Sequence, residues 1–145
     1  MITNNSHPLP AFHFRVLFSG LDNLTEDDSN FESVTGIGGS VTSDHLLQDQ
    51  HKPVAIFQPV VLRRAVTVPA HSILRHWVIA SLHHPTKQPL QEVKIEVLTE
   101  ERLPSLVIVL KDVYVANWAL GELHAQNSKL LMEEISLGYR SVDVF

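Results

Sequence analysis

The chain has 145 residues, of which 44% are hydrophobic and 19% charged, with a formal net charge of −5 and no cysteine. This composition is typical of a folded globular protein, and it excludes a disulfide framework, a thiol nucleophile and a cysteine-ligated zinc site. The longest basic run is Arg63-Arg64, too short to neutralise a row of phosphates. We therefore expect no specific binding of nucleic acid.

The apolar runs of the chain predict a protein without a membrane anchor. Residues 1–14 lack a basic segment followed by an apolar one, which argues against a secretory signal. The other apolar runs are short and interrupted, so no transmembrane helix is expected. At this length we expect one domain over 1–145, with 1–10 as an N-terminal arm, synthesised in the cytoplasm.

Alternating apolar residues predict several strands in the first half of the chain. Residues 11–18 place Phe12, Phe14, Val16 and Phe18 on one face, as a half-buried strand does. After an acidic loop, further β-rich runs lie at 31–36, 40–47 and 54–66. Pro59 interrupts the last run, because proline cannot donate to a strand ladder, and it predicts an edge position, a bulge or a break into two strands.

One convincing α-helix follows, between two prolines. Pro69 suits its first turn, where the missing N–H costs nothing, and Pro85 ends it. At 100° per residue one face collects the residues that should contact the core, namely Ala70, Ile73, Leu74, Trp77, Val78 and Ser81. Ile79 lies on the opposite face, where an apolar side chain indicates contact with a partner.

The second half returns to strands. Runs at 92–98 and 105–120 flank a charged turn and predict a hairpin. The final run, 133–145, is predicted as one strand with Ile135, Leu137 and Tyr139 on one face. The fold class is therefore mainly β, with about seven or eight antiparallel strands in a sandwich or barrel and one packed α-helix.

Four of the nine histidines lie between residues 63 and 84, which raises the question of a metal site. His71 and His76 are five residues apart, so on a helix they diverge by about 140°. A two-histidine zinc grip needs i, i+4 spacing on one face. His83 and His84 are adjacent and also diverge. We expect solvated or interface histidines and no bound metal.

Sequence motifs for catalysis are missing as well. No serine lies in G-x-S-x-G, and neither a P-loop nor G-x-G-x-x-G occurs. The acidic stretch at 25–30 lacks the spacing of a calcium loop. We predict no catalytic residue and no cofactor, so the chain is not expected to be an enzyme. A small β-barrel enzyme or ligand-binding module remains the least supported alternative.

Six short motifs occur in a fixed order along nearly the whole chain. Their residues are Phe12, Phe14 and Val16; Phe31, Ser33, Val34, Thr35, Gly36 and Ile37; Leu62, Arg63 and Arg64; Leu74 and Trp77; Trp118 with its following loop; and Glu133, Ile135 and Leu137. In this order they resemble the tail-tube protein family of contractile phages and phage-tail-like injection particles, which has an Hcp-like tube fold. Each motif is weak alone, and the order carries the resemblance.

The resemblance implies a mechanical function. Family members form homohexameric rings whose strands line a wide lumen, with the helix on the outer side, and the rings stack into a tube. The implied partners are other copies of the chain, sheath, baseplate or spike proteins, and protein cargo in the lumen. The implied location is a phage tail or an extracellular or cell-associated injection particle.

Two departures from the family pattern keep alternatives open. The stretch between Gly36 and Arg64 is shorter than usual and lacks the customary glycine-rich loop, and Ala65 replaces a glycine. A tube-initiating baseplate protein or a tube-terminating paralogue with the same fold is therefore an alternative to the repeating tube subunit. A type VI secretion tube protein is a further alternative within the same fold.

Overall fold

The computed structural model describes residues 7–43, 53–85 and 89–145. In these ranges the chain forms nine β-strands, one α-helix and a short 3-10 helix at Glu26–Ser29. In chain order the elements are β1 (Phe14–Ser19), β2 (Ser33–Thr35), β3 (Gly39–Ser43), β4 (Pro53–Phe57), β5 (Val60–Ala65), α1 (Ile73–His83), β6 (Leu90–Leu98), β7 (Pro104–Leu120), β8 (Met132–Gly138) and β9 (Ser141–Val144).

Seven strands form one antiparallel sheet in the order β1-β6-β7-β8-β5-β2, with β9 also paired to β7. Among the described residues, β3 and β4 pair with each other alone, as a separate two-stranded hairpin. The mainly β architecture with one helix confirms the fold class predicted from the sequence.

The long strand β7 holds the sheet together. Its first part pairs with β6, its second part pairs with β8, and a register shift between Val115 and Asn117 lies where the second pairing begins. β9 pairs with Ile108–Lys111 of β7. It lies on the same edge of β7 as β8, which pairs with the later residues Tyr114–Leu120. β8 and β9 thus follow one edge of β7, interrupted at Tyr139-Arg140.

The core lies between the sheet and α1. Every second residue of the strands and one face of α1 supply the apolar side chains of the core, because alternate residues of a strand point to the same side. Its fully buried members include Val16, Val60, Leu62, Leu74, Val78, Val93, Leu110, Val113, Ile135 and Leu137. Trp77 is 7% exposed and belongs to the same cluster.

The helix begins later than the prolines predict. Ser72 is the N-cap, and its hydroxyl accepts a hydrogen bond from the Arg75 backbone N–H, so the first helical residue is Ile73. This cap satisfies an N–H that the first turn leaves without a partner. The prediction that Pro69 lies in the first turn was therefore wrong. Ala70, predicted on the core face, and His71 precede the helix.

Several strand boundaries also differ from the sequence prediction. Phe12 precedes β1 and is 67% exposed, so the buried alternation starts at Phe14 rather than at Phe12. The run at 133–145 forms two strands, which raises the strand number to nine in the described residues. The predicted strand at 40–47 extends into residues 44–52, outside the described residues. Of the three outcomes predicted at Pro59, the structure shows the break into two strands, and the predicted hairpin of β6 and β7 is confirmed.

Candidate functional site

The β3–β4 hairpin stands apart from the main sheet. All five residues of β3 are exposed, and so are four of the five in β4. Val41 is 70% exposed, and Val54 and Ile56 are 46% and 50% exposed. In the register of the pair, Val41 lies opposite Ala55, while Val54 and Ile56 lie opposite Thr42 and Ser40. Val41 therefore points to one side of the hairpin and the other two to the opposite side, so both faces carry exposed apolar side chains.

The base of this hairpin is fixed by close backbone contacts. Gly36 has φ +85°, and a Cβ there would collide with the carbonyl oxygen of Pro59. Only glycine accepts this conformation and this approach without strain. Beyond it, the Gln58 backbone N–H donates to the Gly38 carbonyl at 3.1 Å. The chain thus leaves the main sheet at Gly36 and returns to it at Pro59 in a defined geometry.

A second feature lies at the start of α1, where two charged residues are buried on neighbouring strands. Arg64 of β5 and Glu133 of β8 are direct partners in the strand register. The Arg64 Nε–H donates to Glu133 Oε1 at 2.9 Å. The Glu133 side chain is fully buried and the Arg64 side chain is 7% exposed. A buried ion pair is tolerable only when further partners satisfy its remaining polar atoms.

Glu133 receives those further partners from α1 and β7. Arg75 donates to it through Nε and through Nη2, the latter at 3.0 Å from Oε1. The Trp118 indole N–H donates to Oε2 at 2.9 Å. One carboxylate therefore accepts hydrogen bonds from Arg64, Arg75 and Trp118 and ties β5, α1 and β7 to β8.

The other two guanidinium nitrogens of Arg64, Nη1 and Nη2, donate hydrogen bonds to residues outside the sheet. Its Nη1 donates to Asp28 Oδ1 at 2.9 Å and to the Asp27 carbonyl at 3.0 Å. Its Nη2 donates to the Ser72 hydroxyl at 2.9 Å, and that hydroxyl donates to Asp28 Oδ1 at 2.6 Å. The Phe31 ring covers the guanidinium, with its centroid 5.3 Å from Cζ. The 3-10 helix and the N-cap of α1 thus join the same cluster.

We name Asp28, Arg64, Arg75 and Glu133 the ionic cluster. Its two guanidiniums balance its two carboxylates, so the buried charges compensate one another. Burial alone raises the pKa of Glu133, but hydrogen bonds from Arg75, Trp118 and Arg64 outweigh it and hold the pKa below its ordinary value.

The pKa of Asp28 is lowered in the same way. Burial alone raises it, and hydrogen bonds from Ser72 and Arg64 outweigh the burial. Both carboxylates are thus stabilised in the charged form. The hydrogen bonds of the cluster join β5, β8, α1 and the 3-10 helix, and within the described residues Asp28 Oδ2 is buried without a hydrogen-bond partner. We interpret the cluster as a structural element of the fold.

The structure brings together four of the residues singled out from the sequence, Phe31, Arg64, Trp118 and Glu133. The other predicted residues are dispersed. The core contains Leu74, Trp77, Ile135 and Leu137, with Phe14 at its margin. Arg63 and Phe12 are exposed, Ile79 is partly exposed on α1, and Gly36 lies at the base of the hairpin.

Sequence reasoning missed the ionic cluster as a unit, although a signal for it was present. On β8, Glu133 is two residues before the buried Ile135 and so points to the same side of the strand. On β5, Arg64 has the same relation to the buried Leu62. Opposite charges in phase with core residues on two strands indicate a buried pair. Asp28 and Arg75 have no comparable signal, because their positions depend on how the 3-10 helix and α1 pack.

A sequence profile of the T4-like virus tail tube protein gp19 family matches residues 10–143. The chain belongs to this tail tube family. It is accordingly a structural protein of a phage tail or a contractile injection particle, and not an enzyme. The family resemblance stated from the sequence is therefore confirmed. Among curated proteins, no sequence matches the chain.

Solved structures share the fold at low sequence identity. A chain of the six-fold symmetrised anti-feeding prophage baseplate is 21% identical, with a TM-score of 0.75 and 97% of each chain covered. A chain of the PVC sheath–tube complex in the extended state is 15% identical, with a TM-score of 0.66, covering 97% of this chain and 93% of that one. An Hcp protein is 18% identical, with a TM-score of 0.55 and coverage of 89% and 88%. These likenesses establish a tail-tube-like, Hcp-like fold.

Two further observations concern the described part of the chain. No group of three or more histidine, aspartate or glutamate side chains is arranged there to hold a metal ion. The helices in the same ranges fall short of the length and apolarity needed to traverse a bilayer.

Proposed function

We propose that this chain is a subunit of the inner tube of a contractile phage tail or injection particle. Six copies form a ring, and rings stack into a hollow conduit. Family membership over residues 10–143 supports the tube assignment. The shared fold with a chain of a six-fold symmetrised baseplate supports the number six.

The observation that carries this proposal is the exposed β3–β4 hairpin. A two-stranded hairpin is marginally stable in water unless something covers a face. This one carries exposed Val41 on one side and exposed Val54 and Ile56 on the other. Apolar side chains on both sides of a projecting hairpin favour insertion between neighbouring copies, where each side is covered.

Open strand edges support the same assembly. β1 and β2 lie at the two ends of the sheet order, so each has one edge without a strand partner in the described residues. Unpaired edges offer backbone N–H and C=O groups to another chain. Contact between two different edges is heterologous, and a heterologous contact closes into a ring when the rotation between subunits permits.

We infer the partners of this chain from the composition of the particle and not from a ligand-binding site. The PVC structure with the shared fold is a sheath–tube complex. We infer that sheath, baseplate or spike proteins surround the ring, and that the lumen admits protein cargo. The expected location is the assembled particle.

A second candidate is a tube-initiating subunit at the baseplate. The TM-score to the chain of the baseplate structure is 0.75, against 0.66 for the chain of the sheath–tube complex. A baseplate subunit would form one ring per particle, whereas a tube subunit would form many. The number of copies per particle, measured by quantitative mass spectrometry against sheath protein, separates the two.

The hairpin experiment tests assembly directly. In particles built with the double variant Val54→Lys, Ile56→Lys, we expect rings of this subunit to be lost, because burying the two charges is costly. The matched control is Val54→Thr, Ile56→Thr, which keeps the branched shape and strand preference and should still assemble. Electron microscopy counts the rings, and thermal melting of both free variants checks folding. Rings formed equally well by the lysine variant would overturn the role of the hairpin.

A further inference from the structure

Three neighbouring lines of strand in the main sheet lose their alternation in the same row. Alternate residues of a strand point to the same side, so two core-facing residues three positions apart mark a break in the pleat. On β6, on β7 and along β8–β9 these residues are Leu90 and Val93, Leu110 and Val113, and Tyr139 and Val142. Leu110 pairs with Val93 on one side and with Val142 on the other, and Val113 pairs with Leu90. The three breaks therefore form one line across the sheet, which we name the crease.

The backbone leaves the extended conformation along the crease. Asp112, inside β7, has φ +53°, and Gly20, the residue after β1, has φ +100°. This left-handed region is open to glycine and, among the other residues, mainly to asparagine and aspartate. Glu92 pairs with Ser19 on one side and with Lys111 on the other, so Gly20 and Asp112 follow residues of the same row. The crease thus runs from the end of β1, through Asp112, to the interruption between β8 and β9.

The crease divides the sheet into two sections that carry different open edges. The first section contains β1, most of β6, the first part of β7, and β9. The second section contains the rest of β7 together with β8, β5 and β2. β1 and β2, whose open edges were described above, therefore lie on opposite sides of the crease. Because the sections join at the crease, the bend there sets the angle between these two edges.

We propose that Asp112 and Gly20 are positioning residues that determine how many subunits close the ring. This inference rests on the proposed ring, in which an edge of one copy contacts a different edge of the next. A heterologous contact closes when its rotation fits a full turn, and otherwise it produces an open helical filament. The rotation depends on the angle between the two edges of one subunit, which the left-handed residues of the crease hold. A merely structural role would lower the number of rings and leave the number of subunits in each ring unchanged.

Electron microscopy of assembled particles measures the subunit number. Asp112→Val introduces a β-branched side chain that strongly disfavours positive φ, so the bend at the crease should change. We expect rings with a number other than six, or open filaments. Arg102→Val is the matched control, because Arg102 has φ +63° in the turn between β6 and β7, away from the crease. It should form six-membered rings. Six-membered rings of the parent's diameter from Asp112→Val would overturn the proposal.

Two further variants separate the backbone conformation from charge and from folding. Gly20→Ala is mild, because a Cβ there would meet the Leu90 side chain at 3.6 Å, an ordinary contact, so its effect comes from the positive φ. We expect it to change the ring as Asp112→Val does. Asp112→Asn removes the charge but keeps a residue that accepts the left-handed region, and it should keep six subunits. Equal changes from Asp112→Asn and Asp112→Val would show that conformation is not responsible and would contradict the proposal.

The angle between the two sections is measurable in the free chain, by the distance between two spin labels. The chain has no cysteine, so Ser105→Cys on β7 and Thr35→Cys on β2 give specific labelling at exposed positions on opposite sides of the crease. We expect Asp112→Val and Gly20→Ala to change the distance between the labels and Asp112→Asn to preserve it. Thermal melting checks that each variant is folded.

The two measurements distinguish failure of this inference from failure of the proposed function. A parent chain that forms no ring in any particle contradicts the proposed function. A parent with six-membered rings, together with an unchanged label distance in Asp112→Val and Gly20→Ala, contradicts this inference alone. A changed distance together with a changed subunit number is the result that supports it.

Discussion

Arg64 and Glu133 face each other on adjacent strands β5 and β8, with Nε and Oε1 2.9 Å apart inside the protein. Both occupy strand positions that otherwise carry core side chains. The pair fastens the short strand β5 to β8 and, through Arg75 and Ser72, fixes the start of α1 on the sheet. The same pair thus links the sheet, the helix and the 3-10 helix that contains Asp28.

Glu133→Gln should reduce the free energy of unfolding by about 3–5 kcal/mol, because the buried Arg64 and the partly buried Arg75 lose the carboxylate that they share on β8. Glu134→Gln is the matched control on the same strand, where the side chain is only partly buried. It should change stability by about 0.5 kcal/mol or less. Urea unfolding of the two variants measures the difference, and equal losses would contradict a central role of Glu133.

Stability should fall as the pH drops below about 4.5. The pKa values of Glu133 and Asp28 are lower in the folded protein than their ordinary values of 4.5 and 3.8. The unfolded chain therefore takes up protons first as the pH falls, which favours unfolding. The contribution is fully present above those ordinary values and is lost as the pH passes down through the folded ones.

This pH dependence is tested by comparing how steeply the free energy of unfolding varies with pH in the parent and in two variants. Glu133→Gln removes one of the two groups, so its free energy of unfolding should depend less steeply on pH in the acidic range. Glu134→Gln should keep the slope of the parent. If the parent and Glu133→Gln lose stability in parallel between about pH 5 and 3, Glu133 is not a source of the pH dependence.

Gly36→Ala should destabilise the protein by more than about 1 kcal/mol. The positive φ disfavours any side chain, and the new Cβ would meet the Pro59 carbonyl. Gly38→Ala is the control, since no atom lies within 4 Å of a Cβ there and its φ is not positive. Thermal melting compares the two, and a Gly36→Ala variant as stable as Gly38→Ala would refute the fixed hairpin base.

Trp77→Ala should cost about 3–5 kcal/mol, as removal of a large buried side chain does. Trp77 is 7% exposed in the core, whereas Leu82 on the same helix is 42% exposed. Leu82→Ala is therefore the matched control and should have a small effect. Chemical denaturation followed by circular dichroism gives both values. A Trp77→Ala variant that unfolds like the parent would mean that α1 presents its other face to the sheet.

The sequence predicted the fold where local pattern decides the structure. Alternation at Ile135 and Leu137, and the turn between the runs at 92–98 and 105–120, led to strands that the structure contains. The helix face with Leu74, Trp77 and Val78 was also read correctly, because helical periodicity fixes it. The helix start was wrong, because a capping hydroxyl at Ser72 determines it and the preference of proline for a first turn does not.

Local sequence patterns could not predict the contacts between residues that are far apart in the sequence. Asp28 meets Arg64 across 36 positions, and Arg75 meets Glu133 across 58. Such contacts depend on how elements pack and leave no local period. The exposed hairpin was likewise unforeseen, because the runs at 31–36 and 40–47 look alike in sequence. Only the backbone shows that β2 pairs with β5 and that β3 pairs with β4.

The central claim is that this chain forms six-membered rings, and cryo-electron microscopy of particles that contain it tests this claim most directly. We predict six copies around a hollow lumen, with each β3–β4 hairpin buried between copies and α1 on the outside. Isolated chains at low concentration need not show the ring, so assembled particles or crystals are the proper sample. A closed dimer that covers the strand edges and the hairpin, with no ring in any particle, would contradict the account.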